Sequence, residues 1–353
     1  MDPSLARVLV LYTGGTIGMR RNDAGVFEPV PGYFAEKVAL HAQLHDPSTP
    51  RFTTFPSSAN RRIHYDVRAY PELLDSANLG LAHWQRFAED IEAAYDDYDA
   101  FVIVHGTDTM AYTASALSFL LENLGKPVIL TGAQIPLEQL RNDAIDNLLG
   151  ALGLAGHYAI PEVGLFFYNK LLRGCRATKT DAVGLDAFYS PNLPPLAELA
   201  IDVNVRWDLV RSRPTAPLVV HRGLNPHVAA LRLYPGITRV ILENFLRPPL
   251  EGLVLETFGS GNVPERDDDL VGALREASDR GVVIVNVTQC LRGRVRPSYV
   301  SGKQLIDAGV VPGADMTVEA ALTKLAFLLG QGLAADEVRG LAGRSLRGEL
   351  TED

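Results

Sequence analysis

Two patterns of apolar and polar positions recur along this chain. Short continuous runs of strand formers lie at Val8–Leu11, Ala100–Val104, Pro127–Leu130 and Val163–Tyr168, most of them closed by a glycine-containing loop. Such runs read as strands buried on both faces, as in a parallel sheet. Between them, apolar residues fall at helical spacing over residues 33–46, Leu81–Ala94, Ala111–Asn123 and Glu138–Ala155. The alternation resumes further on, with strands at Val228–Leu233, Gly252–Thr257 and Val282–Val287 and helices at Asp267–Arg280 and Thr317–Leu329. Three stretches break the pattern. Arg20–Gly32 is polar and glycine-containing and reads as a mobile flap. Residues 47–65 hold prolines, serines and Arg61-Arg62 and read as an irregular excursion. Residues 190–217 are proline-rich, which marks a linker. The division expected is a catalytic N-terminal domain (1–195), a linker (196–217) and a smaller α/β C-terminal domain (218–353).

Composition adds exclusions. The 353 residues are 47% hydrophobic and 21% charged, as in a globular protein with a sizeable core. A net charge of −9 argues against a nucleic-acid or anionic-membrane partner. Two cysteines, Cys175 and Cys290, are too few for a disulfide-built chain. No apolar run reaches the roughly 18 residues of a membrane span, and residues 1–7 carry no signal-peptide core. A cytoplasmic protein is expected.

The candidate chemistry sits at the ends of the apolar runs. Thr13-Gly-Gly-Thr16, Gly106-Thr-Asp-Thr109 and Thr131-Gly-Ala133 each follow a buried strand. In a parallel sheet those carboxyl ends lie side by side, where α/β proteins bind ligands. Three sets of small hydroxyl residues converging there suit a small polar ligand. A threonine hydroxyl is a weak nucleophile until a base takes its proton. Asp108 and Lys179 are the candidates, since a lysine shielded from water can act as a base. Thr107, Asp108 and Lys179 would form one relay, with Thr16 a second hydroxyl opposite. Asp75 and Ser76 precede the helix at Leu81 and suit capping. The glycines lack the spacing of a phosphate-binding loop or a dinucleotide turn, and G-x-S-x-G is absent. His41 and His45 have helical spacing but no evident third ligand, so neither a metal nor a cofactor is expected.

Taken together these segments resemble the bacterial-type L-asparaginases, of the cytoplasmic type I branch. Thr13-Gly-Gly-Thr-Ile-Gly18 and His105-Gly-Thr-Asp-Thr-Met-Ala-Tyr-Thr113 resemble the family's two signature segments. Pro127–Pro136, Ser190–Pro195, Thr288-Gln-Cys290 and Gly313–Ala320 extend the likeness over nearly the whole chain. The resemblance implies two α/β domains, the larger with a flavodoxin-like parallel sheet. It also implies hydrolysis of asparagine to aspartate and ammonia, with Thr16 forming an aspartyl ester and Thr107, Asp108 and Lys179 moving protons. Asp75, Ser76, Ala77 and Asp108 would hold the substrate's α-groups, and the Ala133 carbonyl would accept from the leaving amide. Asn262 would reach a partner subunit's site, so a homodimer or a dimer of dimers is implied. Thr178, Glu256, Thr288, Gln289 and Cys290 match an effector site. There the chain departs from the family, because regulated relatives carry an arginine at the position of Glu256. It also has Val26 or Phe27 where relatives have a flap tyrosine, with Tyr33 further on. The alternatives are a glutaminase-asparaginase, the transamidation subunit of tRNA-linked amidation, and a non-catalytic amino-acid sensor. An early first strand disfavours the second, and the intact Thr16, Thr107, Asp108 and Lys179 disfavour the last.

Overall fold

The computed structural model describes residues 4–50, 52–57, 60–264, 269–296 and 300–352. Two units divide the chain: residues 1–190 with 194–221, and residues 191–193 with 222–353.

The first unit is built on β1 (Leu5–Gly14), whose apolar run extends well beyond Val8–Leu11 and is buried from Val8 to Gly14. The flap segment is an antiparallel hairpin, β2 (Met19–Arg21) with β3 (Phe27–Pro29). Helix α1 (Tyr33–Leu40) stops short of the expected residue 46. The excursion then turns into β4 (Arg62–Leu74), which pairs in parallel with β1 from Leu5↔Arg62 to Tyr12↔Ala69. Residues 62–65 were therefore misread as irregular, and the strand to Leu74 was not foreseen. Its start is held by Asp46, which accepts from the Arg62 guanidinium at 2.6 Å and from both the amide and the hydroxyl of Ser48. The Ser48 bonds and then Arg62 hold the Asp46 carboxyl at about 2, well below the usual carboxylate range.

Helix α2 (Leu81–Ala94), β5 (Ala100–Val104) and α3 (Met110–Leu120) follow as the pattern implies, the first two with the expected bounds. The two-residue β6 (Leu121–Glu122), then β7 (Val128–Thr131), α4 (Ala144–His157) and β8 (Val163–Phe167) continue the alternation. Helix α4 begins six residues later than Glu138, because 138–143 is a loop. Then come β9 (Lys170–Arg173), β10 (Thr178–Lys179) and β11 (Phe188–Tyr189). Strands β12 (Ala197–Leu199) and β13 (Val203–Val205) lie in the stretch expected as a linker. They are instead the antiparallel edge of the main sheet, joined to β9. Their prolines fall outside the paired residues, as strand edges require. Strand β14 (Val219–Val220) pairs with β6.

The main sheet runs β13-β12-β9-β8-β7-β5-β1-β4. Its five parallel strands keep the flavodoxin-like order, the second strand outermost beside the first. The order reverses between β1 and β5, and in such sheets the crevice outside that switch point is where ligands bind. Among the apolar residues lining the sheet's core are Val8, Val10, Val102, Ile129, Ala151 and Leu152, all buried.

The second unit holds β15 (Val228–Arg232), α5 (Arg239–Phe245), β16 (Gly252–Thr257), α6 (Leu270–Asp279) and β17 (Val283–Thr288). It closes with α7 (Val300–Asp307), β18 (Val311–Pro312), α8 (Val318–Gly330) and α9 (Ala335–Ala342). Its four strands are parallel and in sequence order. Helix α6 is capped by Asp269, which accepts from the Gly272 amide at 2.8 Å. The expected helix start at Asp267 and Asp268 lies outside the described residues. In the same unit Lys324 and Glu349, both buried, pair at 2.6 Å. No helix among the described residues is long and apolar enough to cross a membrane.

Candidate active site

The site begins with glycines that let backbone meet backbone. Gly15, at the end of β1, has φ +82, and a Cβ there would lie 2.5 Å from the Gly106 Cα. A Cβ on Gly106 would lie 2.7 Å from the Ser76 Oγ. The Gly15 amide donates to the Leu74 carbonyl at 3.1 Å, and the Thr109 hydroxyl donates to the Ser76 carbonyl at 2.7 Å. The loops after β1, β4 and β5 are thereby fixed against one another across the switch point. A hydroxyl at the start of α3 would ordinarily cap the helix. Thr109 instead spends its proton holding the segment of Asp75 and Ser76.

Asp75 caps only the short turn Ser76–Asn78, accepting from the Ala77 amide at 3.1 Å. The long helix α2 starts from Gly80, so the capping role foreseen for Asp75 and Ser76 there does not hold. Ser76 is buried, while Asp75 and Ala77 are exposed at its sides. Thr16 opens the turn Thr16–Gly18 directly after the glycines and is partly exposed.

Lys179 arrives from the β10–β11 hairpin. Its Nζ donates to Thr107 Oγ1 at 2.8 Å and to Asp108 Oδ1 at 2.7 Å. The lysine side chain is 18% exposed and that of Asp108 63%. Water screens a pair this open, so it orients the groups more than it stabilises the fold. Arg173, the last residue of β9, behaves differently. It is buried and bonded to Glu162 at 2.5 and 3.0 Å, a structural pair.

Behind the loop lies His105, fully buried. The Trp84 indole N–H donates to Thr113 Oγ1 at 2.9 Å, so the Thr113 hydroxyl is free to donate to His105 Nε2, also at 2.9 Å. Nδ1 then carries the proton and donates to the Gly106 carbonyl at 2.6 Å. Burial pushes the imidazole down to about 4, so it is neutral and fixes the Gly106 peptide. Ala133 is buried at the end of β7. The next residue, Gln134, is not among the residues the sequence points to, yet it accepts from the Thr107 hydroxyl at 3.1 Å. A lone loop glutamine gives no signal in sequence. In the flap hairpin Val26 is exposed and Phe27 lies 4.6 Å under the Arg21 guanidinium. Tyr33 is buried in α1 with the Lys37 ammonium 5.4 Å from its ring.

The remaining predicted residues fall elsewhere. Thr178 pairs with Tyr189 in the first unit. In the second unit, Asn262 closes a tight loop, exchanging backbone bonds with Phe258 at 2.8 and 3.0 Å. Gln289 Nε2 donates to the carbonyls of Leu233 and Glu256, and the Thr288 hydroxyl to that of Gly259. Cys290 is exposed, its amide bonded to Thr288 Oγ1 at 3.0 Å. Glu256 faces Arg232 at 3.6 Å, so the arginine that meets it comes from the neighbouring strand. Burial raises the Glu256 carboxyl, with Arg232 opposing.

The family models agree with this layout. "Asparaginase, N-terminal" matches residues 7–211, and "Glutaminase/Asparaginase C-terminal domain" matches residues 227–341. The chain belongs to the asparaginase family and, with it, to the amidohydrolases. It is 49% identical to L-asparaginase 1 of Escherichia coli K12 over 98% of both chains. It is also 49% identical to the 60 kDa lysophospholipase of Mus musculus, covering 98% of this chain but only 62% of that protein. L-asparaginase I from Vibrio cholerae superposes with a TM-score of 0.87 at 45% identity, over 98% of this chain and 99% of that one.

The packing at Gly106 generates a prediction. Gly106→Ala should lower the unfolding free energy by about 1–3 kcal/mol through overpacking. The added methyl displaces Ser76, so activity should fall further than stability. Thermal unfolding beside a turnover assay checks this, and a variant matching wild type in both would show that the loops are not held by this contact.

Proposed function

We propose that this chain hydrolyses L-asparagine to L-aspartate and ammonia through a threonine acyl-enzyme. The observation that carries the reading is the convergence of Lys179 Nζ on Thr107 Oγ1 and Asp108 at the switch point, next to the Gly15–Thr16 turn. Thr16 Oγ attacks the side-chain carbonyl carbon as its hydroxyl proton is taken up by the relay of Thr107, Asp108 and Lys179. The carbonyl electrons move to oxygen, where backbone N–H groups of the glycine loops stabilise the oxyanion, an effect worth a few kcal/mol. As the carbonyl re-forms, the C–N bond breaks and ammonia leaves with the returned proton. Water then cleaves the aspartyl ester by the same relay. Asp75, Ser76, Ala77 and Asp108 hold the α-amino and α-carboxylate groups, and the Ala133 carbonyl accepts from the amide. The names of the Escherichia coli and Vibrio cholerae relatives support this substrate. The compartment we propose is the cytoplasm.

Thr16→Ala and Thr107→Val should each lower turnover by several orders of magnitude while the fold survives. Retention of more than about a tenth of wild-type kcat, a loss of only ~1.4 kcal/mol of barrier, would remove that residue from the catalytic pair.

Glutamine should be a far poorer substrate. With the α-groups fixed, one more methylene displaces the amide carbon from Thr16, and a misplacement near 1 Å costs on the order of a hundredfold. The asparagine curve should be hyperbolic, since Glu256 stands where regulated relatives carry an arginine and would repel an effector carboxylate. Ammonia release from both amides measures these points. Equal kcat/KM values would favour a glutaminase-asparaginase, and a sigmoidal curve would show that asparagine regulates the enzyme without that arginine.

The active unit should be at least a homodimer, with Asn262 completing the partner's site. Sedimentation at assay concentration tests this, and a fully active monomer would refute it.

A further inference from the structure

Gln134 joins the two halves of the relay. Its Nε2 donates to the carbonyls of Gly184 at 3.2 Å and Asp181 at 3.5 Å, in the turn of the hairpin that carries Lys179. Carbonyl oxygens only accept, so this end of the amide is the NH2 group and Oε1 faces Thr107. An amide oxygen also only accepts. The Thr107 hydroxyl proton is therefore aimed at Gln134, and the bond between Lys179 and Thr107 runs from Nζ to Oγ1. In this state the lysine is a donor to the group it would deprotonate.

The hairpin needs such a brace. Its strands pair over two residues only, Thr178↔Tyr189 and Lys179↔Phe188. The turn is organised from within by Asp181, whose Oδ1 accepts from Val183 and Gly184 amides. Gln134 itself is held from the other side, its amide donating to Asp143 Oδ2 at 3.0 Å. Asp143 also accepts from the Ile135 amide and from Asn147. A rigid loop after β7 thus reaches across to the hairpin turn and touches Thr107 on the way.

We infer that Gln134 is a positioning residue: it braces the Lys179 hairpin and sets the direction of the proton on Thr107. For Lys179 to accept the Thr107 proton, that hydroxyl must turn from Gln134 towards Nζ. This rests on the reading of Lys179 as the base. The charged groups on the elements around the lysine are Asp108 on the loop after β5, Asp181 and Asp186 on its own hairpin, and Lys170, which pairs with Asp186 at 2.6 Å.

Two substitutions pull in opposite directions. Gln134→Met keeps the length and removes both bonds. Thr107 is then free to donate to an uncharged Lys179, which stabilises the neutral form. Gln134→Glu still accepts from Thr107 but brings a negative charge towards the lysine, which stabilises the charged form. The acid limb of kcat/KM for asparagine should move to lower pH in the methionine variant, by about half a unit to one unit for a single hydrogen bond. It should move to higher pH in the glutamate variant. Both should lose about tenfold or more in kcat, because neither braces the hairpin turn. The titration of Lys179, followed by NMR on isotope-labelled lysine, reads the same two shifts without turnover. Absence of asparagine hydrolysis by the wild type would sink the proposed function, while the lysine titration would still decide this inference. Shifts of the same sign in both variants, or none, would reduce Gln134 to a structural residue and overturn it.

Discussion

The site depends on one steric constraint, the approach of peptide backbones at Gly15, Gly106 and Ser76. A Cβ on Gly15 would lie 2.5 Å from the Gly106 Cα and one on Gly106 2.7 Å from the Ser76 Oγ, so the loops after β1, β4 and β5 would have to move apart. Without that approach the Gly15–Thr16 turn and the loop of Gly106 and Thr107 would not meet, however well each strand were buried. Hydrogen bonds then fix what sterics permit. Gly15 is tied to Leu74, Thr109 to Ser76, and His105 to the Gly106 carbonyl. The apolar strands bring three loops to one end of the sheet, and the glycines decide how close they come.

Burial separates two kinds of basic residue that look alike in sequence. Arg173 and Lys179 lie six positions apart, one ending β9 and the other ending β10. Arg173 is enclosed with Glu162 and can only be structural, since removing either partner would strand a buried charge. Lys179 keeps partial access to solvent and meets a hydroxyl and an exposed carboxylate. The base role proposed for Lys179, taking up and returning protons, needs that intermediate setting. Full burial would lock its protonation state, and full exposure would leave its orientation to chance.

Much of this was legible because the parallel strands are apolar on both faces. β5 and α2 were found with their observed bounds, and the Thr-Gly ends of β1, β5 and β7 pointed to the switch point. β4 escaped because it is an outer strand. Its buried residues, Ile63 and Tyr65, alternate with His64 and Asp66, and Pro71 further on reads as a break. An alternation test over 62–69 would have found its first half. β12 and β13 escaped for a related reason, since short edge strands flanked by prolines look like connectors. Lys179 was singled out only beside the threonines it would serve, and its contact with Thr107 spans 72 positions of chain. Gln134 left no trace, because its role lies in which end of the amide faces which acceptor.

Both units end parallel strands in polar residues, and the two sets are bonded differently. At the ends of β16 and β17 the polar groups are consumed by one another. Thr257, fully buried, donates to Asn286 at 2.7 Å, Thr288 bonds the Gly259 carbonyl, and Gln289 bonds two carbonyls. Glu256 meets Arg232 within the sheet. These bonds saturate acceptors with donors and stiffen the loops. At the end of β5 the balance differs. Thr107 passes a hydrogen bond from Lys179 to Gln134, so its oxygen stands between two groups that compete for the direction of one proton. A strand end whose bonds can reverse without moving backbone can transfer a proton. A strand end whose bonds run only one way, from hydroxyl or amide into backbone carbonyl, can only hold shape. That difference in reversibility, more than the presence of hydroxyls, is what favours placing the proposed reaction in the first unit.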